Sequence, residues 1–118
     1  MGKGYAVKKL SEVQGVPCLC GTSIRLFTEK NNAVANIHVT HIRDSEKHYH
    51  NECTEFYYVL EGEGKLEVGG DTVALEPGTC IMIERRTPHR GWGDFRALIV
   101  GVPPLKDSDN IKCCIERR

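Results

Sequence analysis

The segment from His48 to Glu55 holds three potential metal ligands within eight residues. His48 and His50 are two positions apart, so on an extended strand both imidazoles would project from the same face. Glu55 opens a run rich in aromatic and β-branched residues, Glu55–Leu60, which has the composition of a strand. Two imidazoles and a carboxylate form a mixed nitrogen and oxygen donor set, which suits divalent transition metals.

A fourth potential ligand, His89, lies 39 residues after His50 in the segment Thr87-Pro88-His89. A turn and two predicted strands separate the two histidines. In a rolled antiparallel barrel, that separation can bring a later strand beside the first one, so His89 can reach the same site.

The elements that would position these residues are short strands divided by turns. Gly69-Gly70-Asp71 predicts a hairpin, Glu61–Gly64 predicts a turn, and no segment before residue 105 shows sustained helical periodicity. Many short strands at this spacing favour an antiparallel sandwich or barrel. The predicted strands are Ser23–Phe27, Asn36–Ile42, Glu55–Leu60, Lys65–Val68, Thr72–Leu75, Cys80–Ile83 and Phe95–Val100.

The bulk properties favour one small domain without a nucleic acid partner. A chain of 118 residues predicts a single domain, 1–118, with a barrel core at about 23–104 and a polar tail at 105–118 that forms a short helix or frays. Sixteen basic residues balance sixteen acidic ones, so a basic nucleic acid footprint is absent. The sequence has no apolar run near the roughly 20 residues of a membrane span and no secretory signal, so a cytoplasmic protein is expected.

The six cysteines are expected to be free thiols in that compartment. Cys18 and Cys20 are one residue apart, and Cys113 and Cys114 are adjacent, spacings that do not favour an unstrained local disulfide. Together these four could also form a soft-metal site, although paired zinc ligands usually stand two to four residues apart. Small apolar packing residues are the preferred interpretation.

The motif His48-x-His50, four residues, Glu55, six residues, Gly62 resembles the first motif of the cupin superfamily. Pro77-Gly78-Thr79 leading through a strand to Pro88-His89 resembles the second, and the resemblance covers roughly residues 36–104. It implies an all-β double-stranded β-helix, a jelly-roll barrel, in which His48, His50, Glu55 and His89 bind a divalent metal such as iron, manganese, nickel or zinc.

Two positions depart from that pattern. Ile42 stands where family members usually have a glycine, and Glu84-Arg85-Arg86 replaces a compact, proline-rich loop. The ligands remain, so the departures bear on the shape of the loop beside the site.

Strand alternation places Tyr57 on the face of Glu55, where it is either a general acid and substrate hydrogen-bond donor or a barrel-lining residue. Sharing parity with Ile37 and Val39, His41 is expected to look into the barrel, and His38 to face away. Each is more often structural than a ligand.

Several residues around the predicted site have a bland alternative. Arg85 and Arg86 either steer an anionic substrate or form a solvated loop. Arg90 is expected to point away from the metal. Cys53 either ligates or, more simply, packs. Trp92 covers a barrel end or a dimer contact.

Three histidines and one glutamate leave two octahedral positions open, which favours an enzyme acting on a small molecule. Oxygenase, isomerase and lyase chemistry all fit, with Glu55 and Tyr57 as catalytic candidates. A non-catalytic binding module and a purely structural barrel remain as alternatives. The family resemblance and an exposed sheet edge also predict a homodimer.

Overall fold

The computed structural model describes residues 4–113, which are almost entirely β-structure. Short 3-10 turns lie at Leu10–Glu12, Glu29–Asn31 and Asp107–Asp109. The strands of this range are β1 (Val16–Cys18), β2 (Gly21–Phe27), β3 (Asn36–Asp44), β4 (His48–Tyr49), β5 (Thr54–Val68), β6 (Asp71–Leu75), β7 (Cys80–Ile83), β8 (His89–Val102) and β9 (Ile111–Lys112).

All strand pairs are antiparallel, and together they form one curled sheet. Its main path runs β1-β2-β3-β8-β4-β9, and β5 joins the sheet by pairing with β6, β7 and β8. The longest ladder joins β5 to β8, from Thr54↔Val102 to Val68↔His89. This arrangement confirms the predicted all-β antiparallel barrel.

The expected turn at Glu61–Gly64 is wrong, because β5 runs through it without a break. The register of β5 against β8 shifts between Val59 and Glu61, which marks a bulge that bends the strand around a barrel corner. Gly62 has a φ of 86° there, and a Cβ on it would lie 2.2 Å from the Asp94 carbonyl oxygen. The two glycines at this position therefore permit a tight bend rather than a chain reversal.

The hairpin at Gly69-Gly70 is confirmed. Val68 pairs with Asp71, and the two glycines adopt φ values of 57° and 89°, as a type I′ turn requires. Residues 105–113 contain a 3-10 turn and β9 instead of the expected short helix or frayed tail, and β9 pairs with β4 beside the predicted ligands; the rest of the predicted tail lies outside the described residues.

Along β3, inward and outward faces are the reverse of the expected ones. His38, Thr40 and Ile42 pair with Ile99, Ala97 and Phe95, and these all line the barrel. His41 instead points outward, where its Nε2 lies 2.6 Å from Asp94 Oδ1. His41 was expected inside the barrel because it shares a strand face with the apolar Val39. Val39 is buried, but on the outer side of the sheet, so this face of β3 is not the one that lines the barrel.

The barrel interior divides into an apolar part and a polar part. The apolar cluster is built mainly from β5 and β8, and its most buried members are Ile42, Val59, Leu66, Phe95 and Ala97. The polar part contains the predicted ligands together with Ser23, His38 and Thr40.

Within residues 4–113, no helix is long and apolar enough to cross a membrane.

Candidate metal centre

The structure brings His48, His50 and His89 together in the polar part of the barrel. His48 lies on β4 directly opposite His89 at the start of β8, and His50 follows β4 by one residue. Ring nitrogens of the three imidazoles all lie within 4.8 Å of one another. Among residues 4–113, this is the one group of three or more ligand-type side chains close enough to hold a metal ion.

Each of the three imidazoles is oriented by a backbone carbonyl. The Nδ1 atoms donate to the carbonyl oxygens of Glu46, Asp109 and Thr87, at 2.7, 2.9 and 2.9 Å for His48, His50 and His89 respectively. A carbonyl only accepts hydrogen bonds, so Nδ1 carries a proton and, in the neutral imidazole, Nε2 keeps its lone pair. Such partners fix the tautomer and orientation of metal-binding histidines.

Glu55, the second residue of β5, completes the group. Its Oε1 atom is 3.2 Å from His50 Nε2 and 3.4 Å from His89 Nε2, and its side chain is only 6% exposed. These three atoms are buried and make no hydrogen bond to the described residues. Together with the His48 imidazole, these two nitrogens and one oxygen form a donor set that fits a divalent transition metal.

The electrostatics of the group favour a cation between the carboxylate and the imidazoles. Burial tends to raise the pKa of Glu55, but the neighbouring His50 and His89 outweigh it and hold that pKa below its usual range. Burial, with His89 nearby, lowers the pKa of His48 to about 4, so this imidazole is neutral near pH 7. Burial also works against a charge on His50, yet the Glu55 carboxylate raises its pKa overall.

A narrow cavity extends from the histidines toward the surface and is lined by β2, β3 and the chain near Leu105. The volume of this cavity is about 40 Å³. Ser23 and Thr40 place hydroxyl groups on its wall, hydrogen-bonded to each other at 3.3 Å. His38 also lines it, and burial beside Arg25 lowers the pKa of His38 to about 4.

Tyr57 lies on the same face of β5 as Glu55 and is 2% exposed. Its ring meets the edge of the His89 ring, with 6.2 Å between centroids, and its hydroxyl is 4.0 Å from Cys20 Sγ. Burial raises the pKa of Tyr57 well above its ordinary value, so the phenol keeps its proton at neutral pH. The structure therefore places this predicted residue beside the histidines, with its phenol protonated.

The other residues near the motif lie away from the histidines. Arg90 pairs with Asp44 at 3.1 Å and stacks over Trp92, as expected for a side chain directed away from the metal. Arg85 is exposed on the loop before His89. Cys53 is buried and packs, with its thiol donating to the Thr54 carbonyl.

The soft-metal alternative for the cysteines has no support in residues 4–113, where only the histidines group as metal ligands. Cys18, Cys20, Cys53 and Cys80 are free thiols, as expected. Cys113 is disulfide-bonded, so the expectation of a free thiol is wrong at this position. Cys114 lies outside the described residues.

Asp109 supports the site and was missed in the sequence. Its carboxylate accepts hydrogen bonds from the backbone N–H groups of Asn51, Glu52 and Cys53, at 2.6, 3.0 and 3.2 Å. Its backbone carbonyl also holds His50 in place. Asp109 is 58 positions from Asn51 in the loop that it anchors. Nothing in the sequence distinguishes it from the neighbouring Asp107, so the contact could not be predicted.

The cupin domain family matches residues 38–97. This part of the chain contains all four predicted ligands, His48, His50, Glu55 and His89. The protein is a cupin. The L-ectoine synthase of Aliivibrio fischeri is 31% identical to it over 94 residues, which cover 74% of this chain and 73% of the relative.

Two solved cupin-fold structures are similar over most of the barrel. A protein from Planctomyces limnophilus has a TM-score of 0.86 and 28% identity, covering 91% of this cupin and 96% of that chain. The ectoine synthase from P. lautus has a TM-score of 0.76 and 26% identity, covering 88% and 82% of the two chains.

Proposed function

We propose that this cupin is a metal-dependent enzyme of the lyase type that acts on a small polar molecule. One observation carries the proposal: three carbonyl-oriented imidazoles and a carboxylate converge beside a buried phenol, and Nε2 of His50, Nε2 of His89 and Oε1 of Glu55 are buried without hydrogen bonds to the described residues. The similarity to L-ectoine synthases favours a lyase-type reaction among the chemistries open to such a site.

The residues that would hold the metal are His48, His50, Glu55 and His89. A bound divalent metal would polarise an oxygen of the substrate as a Lewis acid. The chain itself supplies the proton transfers that an elimination needs, because an ionised carboxylate and a protonated phenol lie in the same buried region. Glu55 can accept a proton and Tyr57 can donate one to a leaving oxygen.

The cavity wall adds recognition of a polar substrate. The hydroxyl groups of Ser23 and Thr40 and the imidazole of His38 face the cavity, and all three can donate or accept hydrogen bonds. A volume of about 40 Å³ admits only a small molecule unless the surrounding chain opens. The proposed substrate is therefore small, polar and able to form several hydrogen bonds.

Ectoine is the first compound to test, because a synthase accelerates its reaction in both directions. The protein would be loaded with zinc, manganese or iron and incubated with ectoine, and ectoine loss would be followed by chromatography alongside oxygen uptake. The proposal expects consumption of ectoine, or of another small polar compound in a panel, without oxygen uptake. Tyr57→Phe should reduce turnover about 100-fold or more.

The matched control is Tyr58→Phe, which removes a phenol hydroxyl from the next residue on the outer side of β5 and should leave turnover unchanged. Oxygen uptake coupled to turnover would show an oxygenase instead. Tight binding of a compound without any product would show a binding module.

We also propose that a second copy of the chain covers the outer face of β5, β7 and β8. This face exposes large apolar side chains on adjacent strands, which is unusual for a surface in water. They are Phe56, Tyr58, Leu60, Met82 and Val102, each between 36% and 53% exposed. Sedimentation should show a dimer that Met82→Lys dissociates and Val34→Lys, at another exposed apolar residue, does not; a wild-type monomer would contradict the proposal.

A further inference from the structure

Two thiols share the cavity with the histidines and take no part in the proposed chemistry. Cys18 ends β1 and pairs with Gly21 at the start of β2, so Leu19 and Cys20 form the two-residue turn between these strands. Both cysteines line the cavity, and both are free thiols. Cys18 is half-buried and Cys20 is 8% exposed.

The turn directs several hydrogen-bond donors at one sulfur. The turn places the Cys20 thiol, the backbone N–H groups of Cys20 and Gly21 and the Arg25 guanidinium around the Cys18 thiol. The hydrogen bond from Cys20, reinforced by these groups against the opposing effect of burial, lowers the pKa of Cys18 to about 6. A large share of Cys18 is therefore thiolate at neutral pH.

Cys20 has the opposite character. Its hydrogen bond to Cys18, together with burial, raises its pKa well above the ordinary value. It therefore stays a thiol, with its sulfur in hydrogen-bond contact with the Cys18 thiolate. A stabilised, partly accessible thiolate beside a second thiol is the arrangement of a redox-active pair.

We propose that Cys18 and Cys20 form a reversible thiol–disulfide pair that reacts with hydroperoxides. The proposal is independent of the reaction assigned to the metal centre, because it rests on the turn that holds the two free thiols one residue apart and on the cavity that both of them line.

The reaction balances in two steps. The Cys18 thiolate attacks the terminal oxygen of the hydroperoxide, the O–O bond breaks, and the departing alkoxide or hydroxide takes a proton from solvent. Cys18 is then a sulfenic acid. The sulfur of Cys20 attacks it, an S–S bond forms, and the S–O bond breaks as the hydroxyl leaves as water with the proton of Cys20. Two thiols lose two electrons in total, and the peroxide is reduced.

A disulfide across one intervening residue is strained, as the spacing of this pair indicates, and strained disulfides are easily reduced. Reduction by a small dithiol should therefore restore both thiols. Oxidation also removes the Cys20 thiol proton next to the Tyr57 hydroxyl, so the surroundings of Tyr57 in the cavity change with the redox state of the pair.

The oxidation of this pair can be measured on a single peptide. Trypsin releases both cysteines in one peptide, Leu10–Arg25, which contains no other cysteine. The folded protein would be treated with hydrogen peroxide, blocked with N-ethylmaleimide, digested and analysed by mass spectrometry. The expected peptide carries no maleimide, is lighter by two hydrogen atoms, and regains two maleimides after dithiothreitol. Cys53 and Cys80 lie in separate peptides and serve as internal controls.

Three variants complete the design. Cys20→Ser should stop the reaction at the sulfenic acid, which dimedone traps on Cys18, and Cys18→Ser should leave Cys20 as a thiol that accepts maleimide. Cys80→Ser should oxidise like the wild type. The proposal is overturned if Cys18 and Cys20 both keep their maleimides after the Cys80 peptide has been oxidised, or if Cys18 is found bonded to a cysteine other than Cys20.

Discussion

The apolar cluster and the metal centre are buried to the same extent but differ in what their burial does. Leu66 and His89 are 0% and 1% exposed. Around Leu66, burial removes apolar surface from water and stabilises the fold. Around His89, burial leaves its Nε2, the Nε2 of His50 and Glu55 Oε1 without hydrogen bonds to the described residues, which costs free energy that a bound cation would offset. One region contributes to folding, and the other is arranged for a ligand.

A single strand contributes to both regions. Glu55 and Tyr57, at one end of β5, belong to the centre, whereas Val59 and Leu66 belong to the apolar cluster. Strand alternation keeps Glu55, Tyr57 and Val59 inside the barrel, and the bulge between Val59 and Glu61 shifts the alternation so that Leu66 also points inward. Substitutions in the two regions should therefore have separable effects on stability and on metal binding.

The largest expected effect on stability is in the apolar cluster. Phe95→Ala removes a ring that is 1% exposed and should lower the free energy of unfolding by about 3–5 kcal/mol. Urea unfolding of the metal-free protein measures it. Phe56→Ala, the matched control on the outer face, should cost much less when both substitutions are made in the Met82→Lys background, which keeps the protein monomeric. Equal losses for the two phenylalanines would contradict the division between inner and outer faces.

Next in size is the effect of Asp109 on the centre. Asp109→Asn weakens the hydrogen bonds that hold the loop of His50 and should reduce metal affinity about 10–100-fold. Asp107→Asn, on the exposed side of the same short turn, should leave the affinity unchanged. Competition with a chromogenic chelator measures both, and an unaltered affinity in Asp109→Asn would show that the loop holds His50 without this carboxylate.

The smallest of these effects is the pH dependence contributed by His38. Its pKa is about 4 in the folded protein, below the ordinary value of 6.5, so between these values the unfolded chain binds more protons. Stability should therefore fall as the pH decreases from about 6.5 to about 4; the full pKa difference would correspond to about 3 kcal/mol, and because His38 is only partly buried we expect about 1–2 kcal/mol.

The comparison that isolates His38 is unfolding of wild type and His38→Gln in chelator across that pH range. The variant should lose less stability at low pH. His41→Gln is the control, because this histidine lies outside the barrel next to Asp94. Parallel curves for wild type and His38→Gln would show that His38 is not buried as a neutral imidazole.

Much of the fold follows from local patterns in the sequence. The glycine hairpin and the alternation of β5 up to its bulge are each set by a few neighbouring residues and are present in the structure, and residues 4–113 form strands and short 3-10 turns as the lack of helical periodicity predicts. The error at Glu61–Gly64 has a physical cause, because glycines serve both turns and bent strands. Only the partner strand β8, with Asp94 and Phe95 pressed against the backbone, distinguishes them.

The candidate site was predictable to the extent that its residues are close in sequence or follow a family spacing. The grouping of His48, His50 and His89 was expected, and the proximity of Glu55 also agrees with the predicted ligand set. The inward position of His38 was not, because alternation fixes relative faces but not which face is inside. Asp109 and the contact between Cys18 and Cys20 depend on distant packing and turn geometry.

The most direct test of the central claim is the metal content of the protein purified without added metal, measured by elemental analysis and followed by titration after chelation. Wild type and His41→Ala should each bind about one divalent transition metal ion per chain, with a rise in unfolding temperature. His50→Ala should remain folded and lose both the metal and the rise. Equal metal binding by His50→Ala and wild type, or none by either, would contradict the assignment of these side chains as a metal centre.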